Sequence, residues 1–230
     1  MDLSRRIFAI TAALLFTASS VRAQSSLSAD VEIKQVANGS VKTTLKHVYC
    51  SSGGRLVSRF SRPGDIVTVA NPRGLGLLYN EATGEVLSSE EITSTDDLMY
   101  IFLSRGVYDL GLLRFGYTLA SQRTDREGYL IKTFTSSEAG RQPVAELVFK
   151  DYLPIYLARK NSDGRIIGKQ YFSDYKPAGR LMFPGRVTEI IYLSAKDSTV
   201  TRTLYTNVQA DAPDELAGFE VPSDAKAIAQ

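Results

Sequence analysis

A mainly β chain, folded as one strongly curved antiparallel sheet that forms an incomplete barrel around a short helical lid or plug, is the architecture the sequence predicts. Short runs rich in β-branched and aromatic residues recur along most of the chain, punctuated by Gly, Asn, Asp and Pro. Roughly a dozen such runs are too many for a flat open sheet of ordinary twist. One short segment breaks the pattern and is apolar almost all round, so it needs a concave surface to occupy.

Residues 1–23 read as a cleavable secretory signal. Arg5 and Arg6 form its basic start, Ile7 to Ala18 is a short apolar run, and Val21-Arg22-Ala23 is a small-residue exit before Gln24. The run is shorter than the ~20 apolar residues a permanent membrane helix requires. Residues 24–230 then form one domain, with no linker or composition break.

Strands are expected in sequence order. The first are Asp30 to Val36, which meets Ala37-Asn38-Gly39, and Val41 to His47, which runs toward Ser51-Ser52-Gly53-Gly54. Leu56 to Phe60 leads to Arg62-Pro63-Gly64-Asp65, Ile66 to Val69 to Asn71-Pro72-Arg73-Gly74, and Leu75 to Tyr79 to Glu81-Ala82-Thr83-Gly84. The second half offers Arg114 to Gln122, Tyr129 to Thr135, Val144 to Asp151 and Ile155 to Arg159. It continues with Ile166 to Ser173, Arg186 to Leu193 and Val200 to Val208. No fixed-length repeat recurs, which disfavours propellers and solenoids.

The exceptional segment is a helix. Ser94 or Thr95 can cap it, and Asp96 and Asp97 place negative charge at its start. Leu98 to Leu103 are six consecutive large apolar residues, followed by Arg105 in the last turn and Gly106 as terminator. Leu98, Ile101 and Phe102 fall at i, i+3 and i+4 on one face. Two roles are open to it: plain filling of a curled sheet, or a lid over a ligand cavity.

Charge and reactive residues exclude several function classes. The formal net charge of +2 comes entirely from the leader, since Arg5, Arg6 and Arg22 against Asp2 account for it. The balanced remainder has no basic track, which argues against nucleic acid as a partner. Cys50 is the only cysteine, so no internal disulfide framework exists, and it reads as a partly buried, unreactive strand residue. His47 is the only histidine; H-x-x-C supplies too few ligands for a structural zinc. Three positions apart on a strand, His47 and Cys50 point to opposite faces, which also disfavours a catalytic dyad. No nucleophile elbow, P-loop or dinucleotide fingerprint occurs, and the pairs Glu90-Glu91 and Asp96-Asp97 are better explained by helix capping than by acid–base chemistry.

Several short motifs occur in a telling order. Ser61-Arg62-Pro63 is followed by a strand, then by Leu77-Leu78-Tyr79-Asn80 and Gly84-Glu85-Val86. The helical Asp97 to Gly106 insertion comes next, and Phe219-Glu220-Val221-Pro222 lies in the tail. Over most of residues 40–225 this order resembles the LolA-like family of periplasmic outer-membrane lipoprotein carriers and relatives. The resemblance implies an incomplete β-barrel of about eleven strands with a helical lid over an apolar cavity, the tail acting as a closing strand. It also implies that the Arg before the Pro, here Arg62, bonds to lid backbone and holds the empty form closed. Read by its own chemistry, Arg62 is equally an edge-strand arginine paired with a nearby carboxylate. Two departures are visible: Asp30 to Val48 reads as a β-hairpin where the family starts with a helix, and Ser61 replaces a basic neighbour of the Arg.

The expected protein is a periplasmic, monomeric carrier without covalent chemistry, cofactor or metal, acting in outer-membrane biogenesis. Its expected cargo is the acyl chains of a lipoprotein or another amphiphilic lipid, held against Leu98, Ile101 and Phe102 of the lid with Arg62 as restraint. A membrane-bound donor or acceptor protein would be its second partner. The alternative function on the same fold is an envelope sensor or protein-interaction module.

Overall fold

Asn38 and Gly39 both take positive φ, 49° and 73°, between strands β1 (Ser26–Ala37) and β2 (Ser40–Ser51). That is the two-residue turn whose twist matches a hairpin, and Asn-Gly is the pair that adopts it most readily. The chain therefore starts with a long β-hairpin, as its alternating pattern predicts. In the computed structural model, which describes residues 24–71, 76–89, 97–136, 144–194 and 197–228, this hairpin seeds a single 14-stranded sheet.

The first half continues as a meander: β3 (Leu56–Arg62), β4 (Ile66–Ala70), β5 (Gly76–Asn80) and β6 (Glu85–Ser89). The second half runs β7 (Tyr117–Thr124), β8 (Leu130–Ser136), β9 (Val144–Lys150), β10 (Leu153–Lys160), β11 (Ile166–Ala178), β12 (Leu181–Tyr192) and β13 (Ser198–Ala210). A two-residue strand β14 (Lys226–Ala227) pairs parallel to β6. Spatial order is β14-β6-β5-β4-β3-β2-β1-β13-β12-β11-β10-β9-β8-β7, so β1 and β13 join the halves at the centre. The sheet is curved and is not closed by hydrogen bonds between its edges, an incomplete barrel. All but two of the fourteen strands, β6 and β14, coincide with runs read from the sequence.

Topology explains the position of the helix. β6 lies near one edge and β7 forms the other, so the connection between them must cross the whole sheet. Its described part, residues 97–116, lies on the concave face. Helix α1 (Leu98–Leu103) packs over β1, β2 and β12, followed by 3-10 turns at Gly106–Tyr108 and Leu112–Phe115. Asp97 caps the helix by accepting a 2.8 Å bond from the Met99 N–H. Ser94, Thr95 and Asp96, the other expected capping residues, lie outside the described residues. The helix ends earlier than expected, at Ser104, and Arg105 rather than Gly106 takes the left-handed conformation (φ 63°).

Two corrections concern the strands. Arg114 and Phe115, read as the start of a strand, belong to the second 3-10 turn, and β7 begins at Tyr117. Asp109 explains this: its buried carboxylate accepts from the N–H groups of Gly111 and Leu113 and draws the chain into a coil. Strand β11 also runs past Ser173, its expected end, through Lys176-Pro177-Ala178, and β12 begins at Leu181 rather than Arg186, so the two turn at Gly179-Arg180. Between them Gly185 faces Asp174, which has φ 58°. A Cβ on Gly185 would lie 2.8 Å from the Asp174 carbonyl oxygen, so only glycine permits this close strand approach.

The core fills the concave side. Leu27, Ala29 and Val31 of β1 alternate inward, joined by Val48 and Cys50 of β2, Leu147 of β9 and Phe183 of β12. Against them sit Met99 and Phe102 of α1, each 1% exposed. A second, smaller apolar cluster lies on the opposite face. There Leu216 is buried against Val57 and Val67, with Tyr49, Val69 and Phe219 around it. The C-terminal segment 211–228 is thus a strap over the outside of β2–β6. Residues Phe219 to Pro222, expected as a closing strand, are irregular within it.

Candidate functional site

The apolar helix does not fill the sheet completely. A cavity of about 650 Å³ remains between α1, the second 3-10 turn and the concave face of β10–β13. Leu98 and Ile101 form its helical side, and Leu110, Leu112 and Phe115 continue that side along the connection. Leu157, Phe172 and Val187 form the facing strand wall. This size falls within the ~300–1,000 Å³ of ordinary ligand sites.

The three lid residues singled out in the sequence divide between two roles. Leu98 and Ile101 line the cavity. Phe102 points away from it, with its ring edge-on to Phe183 at 5.1 Å, and Phe183 stacks in turn against Tyr205 at 5.1 Å. On its far side Phe102 meets a smaller recess of about 330 Å³, which includes Leu130, Phe149 and Leu181 with Arg105 and Lys132 at its rim. Arg62 ends β3 with an exposed side chain, and its bond to Pro63 is cis. Among the described residues no hydrogen bond joins Arg62 to α1.

The wall also carries polar groups that no sequence spacing indicated. Glu189 Oε1 accepts from Arg159 Nη2 at 2.9 Å and from Gln170 Nε2 at 2.8 Å. Thr201 and Thr203 of β13 add hydroxyl-bearing side chains to the same wall. These residues stand on three adjacent long strands and β10, far apart in sequence, so only register brings them together. A further cation lies on the concave side nearer the first half. Lys46 pairs across the sheet with buried Val31 and sits over the Phe60 ring, with Nζ 3.5 Å from Ser58 Oγ. Burial lowers its pKa, partly opposed by the charge of Asp97.

His47 and Cys50 face opposite sides of β2, as the strand alternation predicts. Cys50 is buried in the core, where desolvation pushes its thiol pKa far up, so it is inert. His47 faces outward and bridges two carboxylates: Nδ1 lies 2.7 Å from Asp30 Oδ1 and Nε2 2.8 Å from Asp214 Oδ2. Asp214 belongs to the strap, so the imidazole ties it to the sheet. Burial alone would lower the His47 pKa, but its bonds to Asp214 and Asp30 and their charges outweigh this and raise it. Asp30 is lowered by its bonds from Asn207 and His47, and Asp214 is lowered despite burial by His47 and the Leu216 N–H.

The pH dependence of this latch follows. A raised His47 pKa adds stability that is full below its ordinary value of 6.5 and lost as pH rises through the folded-state value. The two lowered aspartates add stability that is lost only as pH falls below their ordinary 3.8 and through their folded-state values. The Tm difference between wild type and His47→Gln is therefore expected to be largest near pH 5–6 and to shrink toward pH 8–9. Melting curves across that range check it; a difference independent of pH would show that the imidazole's proton is not part of the latch.

Among the described residues no group of three or more His, Cys, Asp or Glu side chains could hold a metal ion, and no helix is long and apolar enough to cross a membrane.

No protein-family model matches the chain, and no curated protein matches it in sequence. Solved structures do match in fold. A LolA superfamily protein from Nitrosomonas europaea superposes with a TM-score of 0.56 at 11% identity, covering 84% of this chain and 90% of that one. A putative outer membrane lipoprotein-sorting protein domain from Vibrio parahaemolyticus gives 0.55 at 12% identity, over 85% and 87%. A DUF1329 family protein from Desulfovibrio piger gives 0.57 at 14% identity, over 86% and 90%. The fold is LolA-like.

Proposed function

We propose, from a LolA-like fold with an unfilled cavity beneath its helix, that this protein is a periplasmic carrier for the acyl chains of a lipoprotein or another amphiphile. The cavity carries the proposal. A core whose only task was to hold the sheet together would gain from filling about 650 Å³ of space beside Leu98 and Ile101. Here that space is left open, with Leu98, Ile101, Leu112, Leu157, Phe172 and Val187 supplying its apolar surface. Each methylene buried there would contribute about 0.8 kcal/mol, enough to hold acyl chains with no covalent step. Reversible loading requires a lid that exchanges its own contacts for those of the ligand. Leu98 and Ile101 are placed for that exchange, whereas Phe102 anchors the helix. Fold likeness alone does not assign a cargo, so the test must be binding itself.

Titration with a fluorescent fatty-acyl probe is expected to give saturable binding to the wild type. Val187→Trp, which places a large ring in the cavity, is expected to weaken it at least ~10-fold at unchanged fold, the equivalent of about 1.4 kcal/mol. Arg62→Leu addresses the restraint that the resemblance implies: probe affinity should shift while Tm stays the same, because the side chain is exposed and outside the core. A wild type that takes up no probe would end the carrier reading.

Export is part of the same proposal. Protein recovered from a periplasmic extract is expected to begin at Gln24, and N-terminal sequencing reads this directly. An intact Met1 on the folded protein would contradict it.

A further inference from the structure

The strand wall of the cavity changes character along its length. Leu157 pairs with Gln170, Gln170 with Glu189 and Glu189 with Thr201, forming one row across four strands. One inward-facing step away along the strands, Phe172 pairs with Val187 and Val187 with Thr203. Same-face positions two residues apart stand ~6.5–7 Å from each other. The cavity therefore has an apolar end at Phe172 and Val187 and a polar end at Gln170 and Glu189, with Arg159 beside it.

We propose that this polar end receives the head of the amphiphile, and that the head is uncharged and rich in hydroxyls, of the glycosyl or glycerol class. This rests on the reading of the cavity as an acyl site and adds what its ligand carries at the other end. Arg159 and Glu189 cancel each other's charge through their 2.9 Å contact. An anionic head would meet the Glu189 carboxylate, with Asp97 on the opposite wall. A cationic head would meet Arg159, and the Asp97 charge that could attract it already acts on Lys46. A hydroxyl can do what neither ion can: it donates to a carboxylate and accepts from a guanidinium or amide.

The hydrogen-bond inventory leaves room for it. Glu189 Oε1 takes both protein donors, from Arg159 and Gln170, while Oε2 takes none from the described residues. Arg159, Gln170 and Thr201 line the same cavity beside it. The Arg159 and Glu189 side chains are 40% and 25% exposed, so they stand at the wet end of the cavity. Water can satisfy them in the empty protein and leave when a hydroxylated head arrives. A partly exposed ion pair contributes only about 0–1 kcal/mol to stability. Folding therefore gives little reason to place one on the concave wall, whereas recognition does.

Competition against the acyl probe tests this with amphiphiles of one chain length and four heads: an alkyl glycoside, an alkyl glycerol ether, an alkyl phosphate and an alkyl trimethylammonium. In the wild type the glycoside and glycerol ether are expected to compete at least ~5-fold better than either ion. Glu189→Gln removes the anion and leaves Arg159 uncompensated. It is expected to weaken the glycoside about 10-fold and to strengthen the phosphate. Gln170→Leu, which keeps the ion pair, is expected to weaken the glycoside by a smaller factor without favouring the phosphate. Matching melting curves confirm that each variant is folded. Equal competition by all four heads, or a ranking unchanged in Glu189→Gln, overturns the head assignment while the acyl site stands. Absence of probe binding in the wild type overturns the carrier reading itself and this inference with it.

Discussion

Phe102→Ala is expected to cost about 3–5 kcal/mol of stability, the range for deleting a large aromatic side chain from a packed core. The Phe102 side chain is 1% exposed and its ring is edge-on to Phe183, so its removal leaves a void that rigid neighbours on two strands cannot close. For a chain of this size each kcal/mol corresponds to roughly 2–4 °C, so Tm should fall by roughly 6–20 °C. Leu98→Ala on the same helix is half-buried beside the cavity and should cost far less while altering probe affinity. The pair of melting curves separates anchor from lid. If the two variants lose stability equally, the helix is a uniform plug and the division of roles across it is wrong.

Leu216→Ala is expected to be the second most damaging substitution, at about 2–5 kcal/mol. Leu216 is fully buried and pins the strap to Val57 and Val67. Polar contacts surround it: Arg59 pairs with Glu215 at 2.7 Å, and Arg55 donates to the carbonyl oxygens of Ala217 and Phe219. Those contacts are largely exposed and individually weak, so the apolar anchor sets the docking free energy. If docking is worth less than the cavity that the substitution creates, the strap releases first and the global cost stops at the docking value. Limited proteolysis after Phe219 or Lys226, followed alongside thermal melting, reads both effects. A variant as resistant to cleavage as wild type would show that the strap is held by its ion pairs instead.

Local chemistry was legible in the sequence wherever one residue type has few alternatives. Asn38-Gly39 announced the first hairpin because few other pairs tolerate two consecutive positive φ angles. Six apolar residues in a row announced a helix that could not face water, and α1 spans those six. The β9–β10 turn was less visible. It is made by Asp151 and Tyr152 at φ 51° and 66°, and Tyr152, 94% exposed, carries no turn signal of the Gly or Asn kind. Phe115 looked like a strand residue because aromatic residues favour strands, but the Asp109 carboxylate six residues upstream captured the backbone at Gly111 and Leu113 first.

By itself the sequence determined a β-rich chain, the position of nearly every strand, the inert setting of Cys50 and the opposite facing of His47. These follow from alternation and turn preference, which act over a few residues. Which face of α1 meets the core and which meets the cavity was decided only by tertiary structure, because a helix apolar all round carries no moment to orient it. The strap is similar: Asp214 and Leu216 reach His47 and Val57 across more than 150 residues, a distance no local pattern encodes. The Arg159–Gln170–Glu189 cluster depends on the register of three strands, and register is a property of paired chains. A shift of one residue in either ladder would turn these side chains out of the cavity, which is why the site exists in the folded sheet and has no signature in the sequence.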